Sequence, residues 1–281
     1  MNIRIVTDST CDLPDQIVSE MGIKVIPMYI NFGDQGYKDG IDITRQEFYE
    51  RLPDSDPFPT TGTPGVDAFL QAYEQLAQEG ATRILSIHVS ESLSAMVDVA
   101  RTAASKAKSV PVTVYDSGSL SLGTGFQART AARAADEGLP MNEILSLLKD
   151  QSDRSYVFAV LDTLEYLKRS GRMNSVMASL GSILRIKPLL KMHAGVPTAE
   201  RVRTKERAMK RLVELIEELG PIEELALVHT NSPQAAQELH AESLHLFPQN
   251  ITPLSVNVTP VLGAHLGSGA VGFTCITAKE G

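Results

Sequence analysis

Apolar residues come along the first half of the chain in short runs, each followed by a polar segment with helix-starting chemistry. Residues 3–7 form a first strand-like run. Asp12 stands where a helix cap is expected, with Pro14 in the first turn and Gly22 as the stop. Residues 23–32 read as a second strand and Asp39-Gly40 as a tight turn. Thr44 and Glu47 have the spacing of a capping box ahead of Phe48-Tyr49. Thr63-Pro64 opens a helix that ends at Gly80. Residues 84–89 and 112–115 are core strands, with helices following from about Ser94 and about Leu120. Strand and helix signals in alternation favour a parallel sheet.

The pattern shifts near residue 153. Residues 156–161 read as a strand, followed by helical signals at 163–169 and 175–184. Two strand-like runs, 188–193 and 196–204, meet at Ala194-Gly195. An amphipathic helix over 205–219 stops at Gly220-Pro221. A strand at 225–230, a helix at 233–246 and strands at 251–258 and 271–277 complete a mixed arrangement. The expectation is an α/β protein of two domains. Residues 1–153 form a parallel-sheet, three-layer domain and residues 154–281 a mixed α/β domain, with a ligand tunnel between them. Between 175 and 190, Val176, Met177, Leu180, Ile183 and Leu184 are interleaved with Ala178, Ser179, Gly181 and Ser182. Small residues on such a face leave room for a packed backbone or for an acyl chain. Burial of an acyl chain gains about 0.8 kcal/mol per CH₂.

Composition narrows the classes. The chain has 281 residues, 43% of them hydrophobic, without an apolar run long enough to span a bilayer. The N-terminus runs directly into a strand rather than through a secretory leader. Cys11 and Cys275, the two cysteines, make neither a disulfide framework nor a metal site, and a reducing cytoplasm is expected. A net charge of −8 argues against nucleic-acid binding. Yet residues 168–211 hold twelve Lys or Arg against two acids, Glu200 and Glu206, a local +10 that leaves −18 on the rest. Such a segment is either a solvated basic face or a docking and phosphate-handling surface.

Four polar loops follow apolar strands, where open α/β sheets usually bind ligands. Residues 8–14 supply turn and capping chemistry, or close one end of a pocket. Residues 59–64 gather Thr60, Thr61 and Thr63 before a helix, where unpaired N–H groups attract an anion; alternatively Thr63 merely caps that helix. Ser90, Ser92 and Ser94 repeat the arrangement before the next helix. Residues 260–269 set His265 among Gly263, Gly267 and Gly269, a tight glycine-rich loop whose histidine is structural or holds an anion. No Walker loop, dinucleotide fingerprint, nucleophile elbow or HExxH spacing occurs.

Taken in order, these pieces resemble the DegV family of fatty-acid-binding proteins over the whole length. The matching pieces run from Val6-Thr7-Asp8-Ser9-Thr10 through Tyr37-Lys38-Asp39-Gly40, Phe48-Tyr49, Thr60-Thr61-Gly62-Thr63-Pro64 and Leu93-Ser94. They continue with Asp116-Ser117, Ser170-Gly171-Arg172, Ile186-Lys187-Pro188, Val202-Arg203-Thr204 and Gly263-Ala264-His265-Leu266-Gly267. The resemblance implies a long-chain fatty acid such as palmitate buried between two domains and no further cofactor. It implies Thr61 and Ser94 on the carboxylate, with Gly62 and His265 in the ligand site. It also implies a separate fatty acid kinase that phosphorylates the presented acyl group, with Arg172 and Arg203 facing the incoming phosphate. Gly62 stands where the family has Ser, leaving a backbone N–H in place of a hydroxyl. Ala95-Met96-Val97 replaces Gly-Thr-aromatic after Ser94, and Ser268 stands where Pro is common. The alternative is a small-anion phosphotransferase or hydrolase at the same cleft, for which Ser94 with His265 is the one nucleophile–base pairing to test.

Overall fold

The computed structural model describes residues 2–173, 187–248 and 253–279. Strand β1 (Ile3–Asp8) lies inside a four-stranded parallel sheet ordered β2–β1–β6–β7, with β2 (Lys24–Ile26), β6 (Arg83–His88) and β7 (Val112–Asp116). Its side chains alternate between faces, as a pleated strand requires. Ile3 and Ile5 enter a core completed by α5 (Leu122–Asp136) and α6 (Met141–Asp153). Val6 enters a second core completed by α2 (Arg45–Arg51), α3 (Val66–Gln78) and α4 (Met96–Lys106). This is the three-layer parallel domain expected from the alternating pattern.

The apolar run at 23–32 is not one strand. Pro27 has no N–H to give a ladder, and the chain turns there, with the Met28 N–H donated to Ser9 Oγ at 3.1 Å. The second piece, β3 (Tyr29–Phe32), joins a separate antiparallel sheet ordered β4–β3–β5, with β4 (Gln35–Lys38) and β5 (Thr60–Gly62). The Thr44–Glu47 capping box is formed as expected. Asp12 does not cap the following helix: α1 (Asp15–Glu20) starts behind Pro14 without a side-chain cap, and Asp12 is buried with a left-handed backbone, φ 54°. Helix α6 was not foreseen, although Gly138-Leu139-Pro140 punctuates the chain ahead of Ile144 and Leu148, spaced four apart and both buried.

The second domain is a six-stranded mixed sheet ordered β10–β9–β8–β13–β11–β12. Its strands are β8 (Ser155–Val160), β9 (Lys187–His193), β10 (Val196–Val202), β11 (Ile222–His229), β12 (Leu254–Asn257) and β13 (Val271–Thr277). Only β11 and β12 pair in parallel. The short helix α7 (Glu165–Arg169) follows β8, and one face of the sheet carries α8 (Lys205–Glu218) and α9 (Pro233–Ser243) over Phe158, Val160, Leu189 and Phe273. The opposite face of β11 and β12 contributes Ala226, Val228 and Val256 to the core that α5 shares with the parallel sheet. The stretch of small residues singled out after 175 falls on 174–186, outside the described residues. Among the described residues no helix is long and apolar enough to cross a membrane.

Candidate functional site

The inner face of the mixed sheet meets the loops that leave β1, β6 and β7 around a narrow cavity. About 130 Å³ of it is open to the centre of a water molecule. One wall is a sheet surface: Val157, Met192 and Pro197 lie in register across β8, β9 and β10, and Ala159 pairs with Leu190 beside them. The other wall is built from Met28, Val89, Leu93 and Leu120, together with Val261 and Leu262 of α10 (Pro260–Leu266). The lining is overwhelmingly aliphatic. Its polar members include Thr10, Thr61, Ser94, Ser121, Arg172 and His265.

Thr61 arrives on a strand, not at a helix tip. Its residue pairs with Ile30 in the β3–β5 ladder, and α3 begins only at Val66, behind Gly65 and without a side-chain cap. The expected anion site at the end of that helix is therefore replaced by a ladder that fixes Thr61 in register. Ser94 stands two residues before α4, whose cap position is Ala95; its Oγ accepts the Met96 N–H at 3.4 Å. The glycine-rich segment around His265 is helical rather than a loop. Pro260 occupies a first-turn position where a missing N–H costs nothing. Gly263 is required by close packing: a Cβ there would lie 2.6 Å from Tyr49 Oη and 2.8 Å from Phe48 Cε1. Gly267 ends the helix at φ 73°, where a Cβ would collide with Cδ2 of the Tyr166 ring.

Those contacts aim His265 at Thr61, with Nε2 3.1 Å from Thr61 Oγ1. Burial, and then the positive charge of Arg172, lower the imidazole pKa to about 4, so the ring is neutral near pH 7. His265 Nδ1 is buried and has no hydrogen-bond partner among the described residues. Buried N–H groups are rarely left orphaned, whereas acceptors are more often under-satisfied. The favoured tautomer thus carries its proton on Nε2 and donates it to Thr61 Oγ1. The Thr61 O–H then remains available to a ligand acceptor. A hydrolytic pairing is poorly served: His265 bonds Thr61 rather than Ser94, and among the described residues no acid orients its other nitrogen.

Arg172 stands on the cavity wall and donates from Nη1 to the Ser170 carbonyl at 3.0 Å. Gly62 and Arg203 are not on the wall. Gly62 follows Thr61 in β5, and Arg203 is exposed next to Thr204, the residue that caps α8. Much of the basic segment is neutralised by its own surroundings. Lys191 and Arg211 pair with Glu200, Arg207 pairs with Glu214, Arg211 also pairs with Glu218, and Lys187 pairs with Asp162. The local charge count stopped at residue 211, short of the acids on the same helix face that answer it.

Two buried carboxylates, Asp8 and Asp12, brace the loops around the cavity, a role that the sequence reading did not assign to them. Asp8, fully buried, accepts from Thr10 N, Thr10 Oγ1, Val89 N and His88 Nδ1 at 2.5–3.1 Å. Burial pushes its pKa up, but His88, Thr10 and Val89 together bring it below the ordinary value. His88 Nε2 lies 2.7 Å from Ser86 Oγ, which accepts from Tyr73 Oη at 2.9 Å. Ser86, His88 and Asp8 have the order of a catalytic triad. Both Ser86 and His88 are 0% exposed and neither lines the cavity, so the chain is a brace with no route for a substrate. Asp12 accepts from Ser121 Oγ at 2.5 Å and from Thr259 N at 2.8 Å, with the Arg45 guanidinium at 3.7 Å. Arg45 also donates to the Asn257 carbonyl, and Tyr49 Oη donates to the Val258 carbonyl at 3.0 Å. These contacts fix the start of α10, the helix that carries His265. Burial raises the Asp12 pKa to about 6, against the opposing pull of Arg45.

Comparison with known proteins places this architecture. A family model described as an uncharacterised protein of the DegV family matches residues 2–278. A DegV domain-containing protein of Halalkalibacterium halodurans is 34% identical, over 99% of this chain and 99% of its own length. A fatty-acid-binding DegV family protein from Thermus thermophilus superimposes with a TM-score of 0.90 at 30% identity, covering 99% of this chain and 100% of that one. DegV of Bacillus subtilis, described as a fatty acid binding protein, superimposes with a TM-score of 0.88 at 30% identity and the same coverage.

Proposed function

The chain belongs to the DegV family, and on that footing we propose that it binds a long-chain fatty acid such as palmitate in the cavity between its sheets. The observation that carries the reading is the unequal polarity of that cavity. Its walls are mainly aliphatic along the β8–β10 face, where Lys191 and Thr198 are the polar members, and the Thr61 hydroxyl opposite is organised by a neutral His265 that leaves the hydroxyl proton free. A carboxylate accepts that proton and the Ser94 O–H, while each buried methylene gains about 0.8 kcal/mol. Arg172 supplies the compensating charge from the same wall. The finer reading is that the headgroup end is presented to a partner fatty acid kinase. Support for it comes from Arg172 alone, because Arg203 stands apart from the wall.

Extraction of the purified protein followed by mass spectrometry is expected to release long-chain fatty acid, and the delipidated protein is expected to rebind palmitate on titration. A delipidated, folded protein that takes up no fatty acid overturns the reading. The kinase step is tested separately, by phosphorylation of bound palmitate with a fatty acid kinase present. Arg172→Glu is expected to weaken palmitate binding as well as to abolish turnover, so turnover is compared with each protein saturated with palmitate, and unchanged turnover at saturation rejects the step.

A further inference from the structure

Proton directions divide the hydroxyls of the cavity into two kinds. Thr10 and Ser121 stand on the wall together with Thr61 and Ser94. Thr10 Oγ1 gives its one proton to Asp8, and Ser121 Oγ gives its own to Asp12, each at 2.5 Å. A hydroxyl has one donor and two lone pairs, so both residues are left as acceptors only. The arrangement resists reorientation. Hydrogen bonds from O–H to carboxylate are among the strong ones. Asp8 is held on its other sides by Val89 N and His88, and Asp12 by Thr259 N and Arg45. Ser121 is itself pinned at φ 52°, a left-handed conformation that a non-glycine residue keeps only when its surroundings over-determine it. Thr61 accepts from His265 and Ser94 accepts from Met96 N, so these two keep their protons for a ligand.

We propose that Thr10 and Ser121 form a second polar subsite in the cavity, one that accepts a hydrogen bond from a hydroxyl carried on the acyl chain, so that hydroxylated long-chain fatty acids are a preferred ligand class. The inference rests on the fatty-acid reading above and deepens it. A carboxylate cannot take this place, because its lone pairs would face those of Thr10 and Ser121. An O–H donates to them directly. A plain methylene chain leaves the lone pairs of both hydroxyls without a donor, whereas an O–H on the chain satisfies them. The two kinds of hydroxyl therefore suit one ligand with an acid at one place and an alcohol at another.

The test titrates the delipidated full-length protein with stearic acid and with hydroxystearic acids bearing the hydroxyl near the carboxyl, in mid-chain and toward the tail. At least one isomer is expected to bind about fivefold more tightly than stearate, the scale of one net hydrogen bond. Thr10→Val and Ser121→Ala are expected to bring that ratio to one or below, and Thr10→Ser, which keeps the hydroxyl, to preserve it. Because the ratio is taken within each variant, a loss of folded protein does not mimic the result. The subsite is overturned, with fatty-acid binding intact, if stearate binds and every hydroxylated isomer is weaker in the parent protein, or if the preference survives both substitutions. If neither stearate nor any hydroxystearate binds, both readings fall.

Discussion

Thr61 and His265, 204 positions apart in sequence, meet with Oγ1 and Nε2 at 3.1 Å. A strand in a small antiparallel sheet brings one, and a helix of the mixed-sheet domain brings the other. Neither can be moved without disturbing the other's proton. Thr61→Val removes the hydroxyl while keeping its shape. Palmitate affinity is expected to fall about 10- to 100-fold, the range of a hydrogen bond to a charged group, and the ligand-free protein is expected to lose about 1–3 kcal/mol because the buried His265 Nε2–H loses its acceptor. Titration of the delipidated variant checks this, and an unaltered affinity removes Thr61 from the site.

Asp8 gathers four donors at a fully buried carboxylate. Asp8→Ala leaves them without an acceptor and is expected to cost about 3–5 kcal/mol in chemical denaturation. Glu79→Ala, which removes the exposed partner of Arg4, is the control and should cost under about 1 kcal/mol. Equal effects from the two would show that the brace is not one.

Asp39 is nearly buried. Burial first, then repulsion from Asp12 and Asp8, outweigh Ser9 and Arg45 and push its pKa up to about 7. A carboxyl raised on folding binds its proton more tightly in the native state. Its contribution to stability is therefore full at low pH and is lost as pH climbs from the unfolded value toward 7. His265 and His229, both lowered by burial, act in the opposite direction in acid. The difference between Asp39→Asn and the parent isolates the one group. The variant should gain on the parent by about 2 kcal/mol between pH 5 and pH 8. A pH-independent difference in denaturation free energy contradicts this.

Gly263 faces the Tyr49 and Phe48 side chains with no room for a methyl group. Gly263→Ala is expected to cost about 1–3 kcal/mol through overpacking and to displace His265 from Thr61. Thermal melting reads the first effect and palmitate titration the second. Gly65→Ala, where a Cβ meets nothing within 4 Å, should leave both nearly as they were.

Much of the architecture was legible before the coordinates. Apolar runs such as 84–89 and 271–277 became strands, the Thr44–Glu47 spacing became a capping box, and Ala194-Gly195 became a hairpin tip with both residues at positive φ. What failed did so where pairing overrides local chemistry. Thr60 to Thr63 carry the signature of a helix start, yet β3 captures Thr60–Gly62 as a ladder. Gly263 and Gly267 looked like loop glycines because their cause, close approach of Tyr49 and Tyr166, lies far away in sequence. Thr61, Ser94, Arg172 and His265, the positions the family resemblance implies, all line the cavity, whereas Arg203 does not. Asp8 and Asp12 lay in a polar loop that was noticed, but nothing local distinguishes a buried brace from an exposed turn.

Strand β8 serves two masters. Phe158 and Val160 belong to the helix-backed core, while Val157 and Ala159, the alternate positions, wall the cavity. A slip of one residue against β9 or β13 would exchange these sets, putting phenylalanine into the binding space and small side chains under the helices. Correct assembly of this sheet and the very existence of an open cavity are thus decided by a single register.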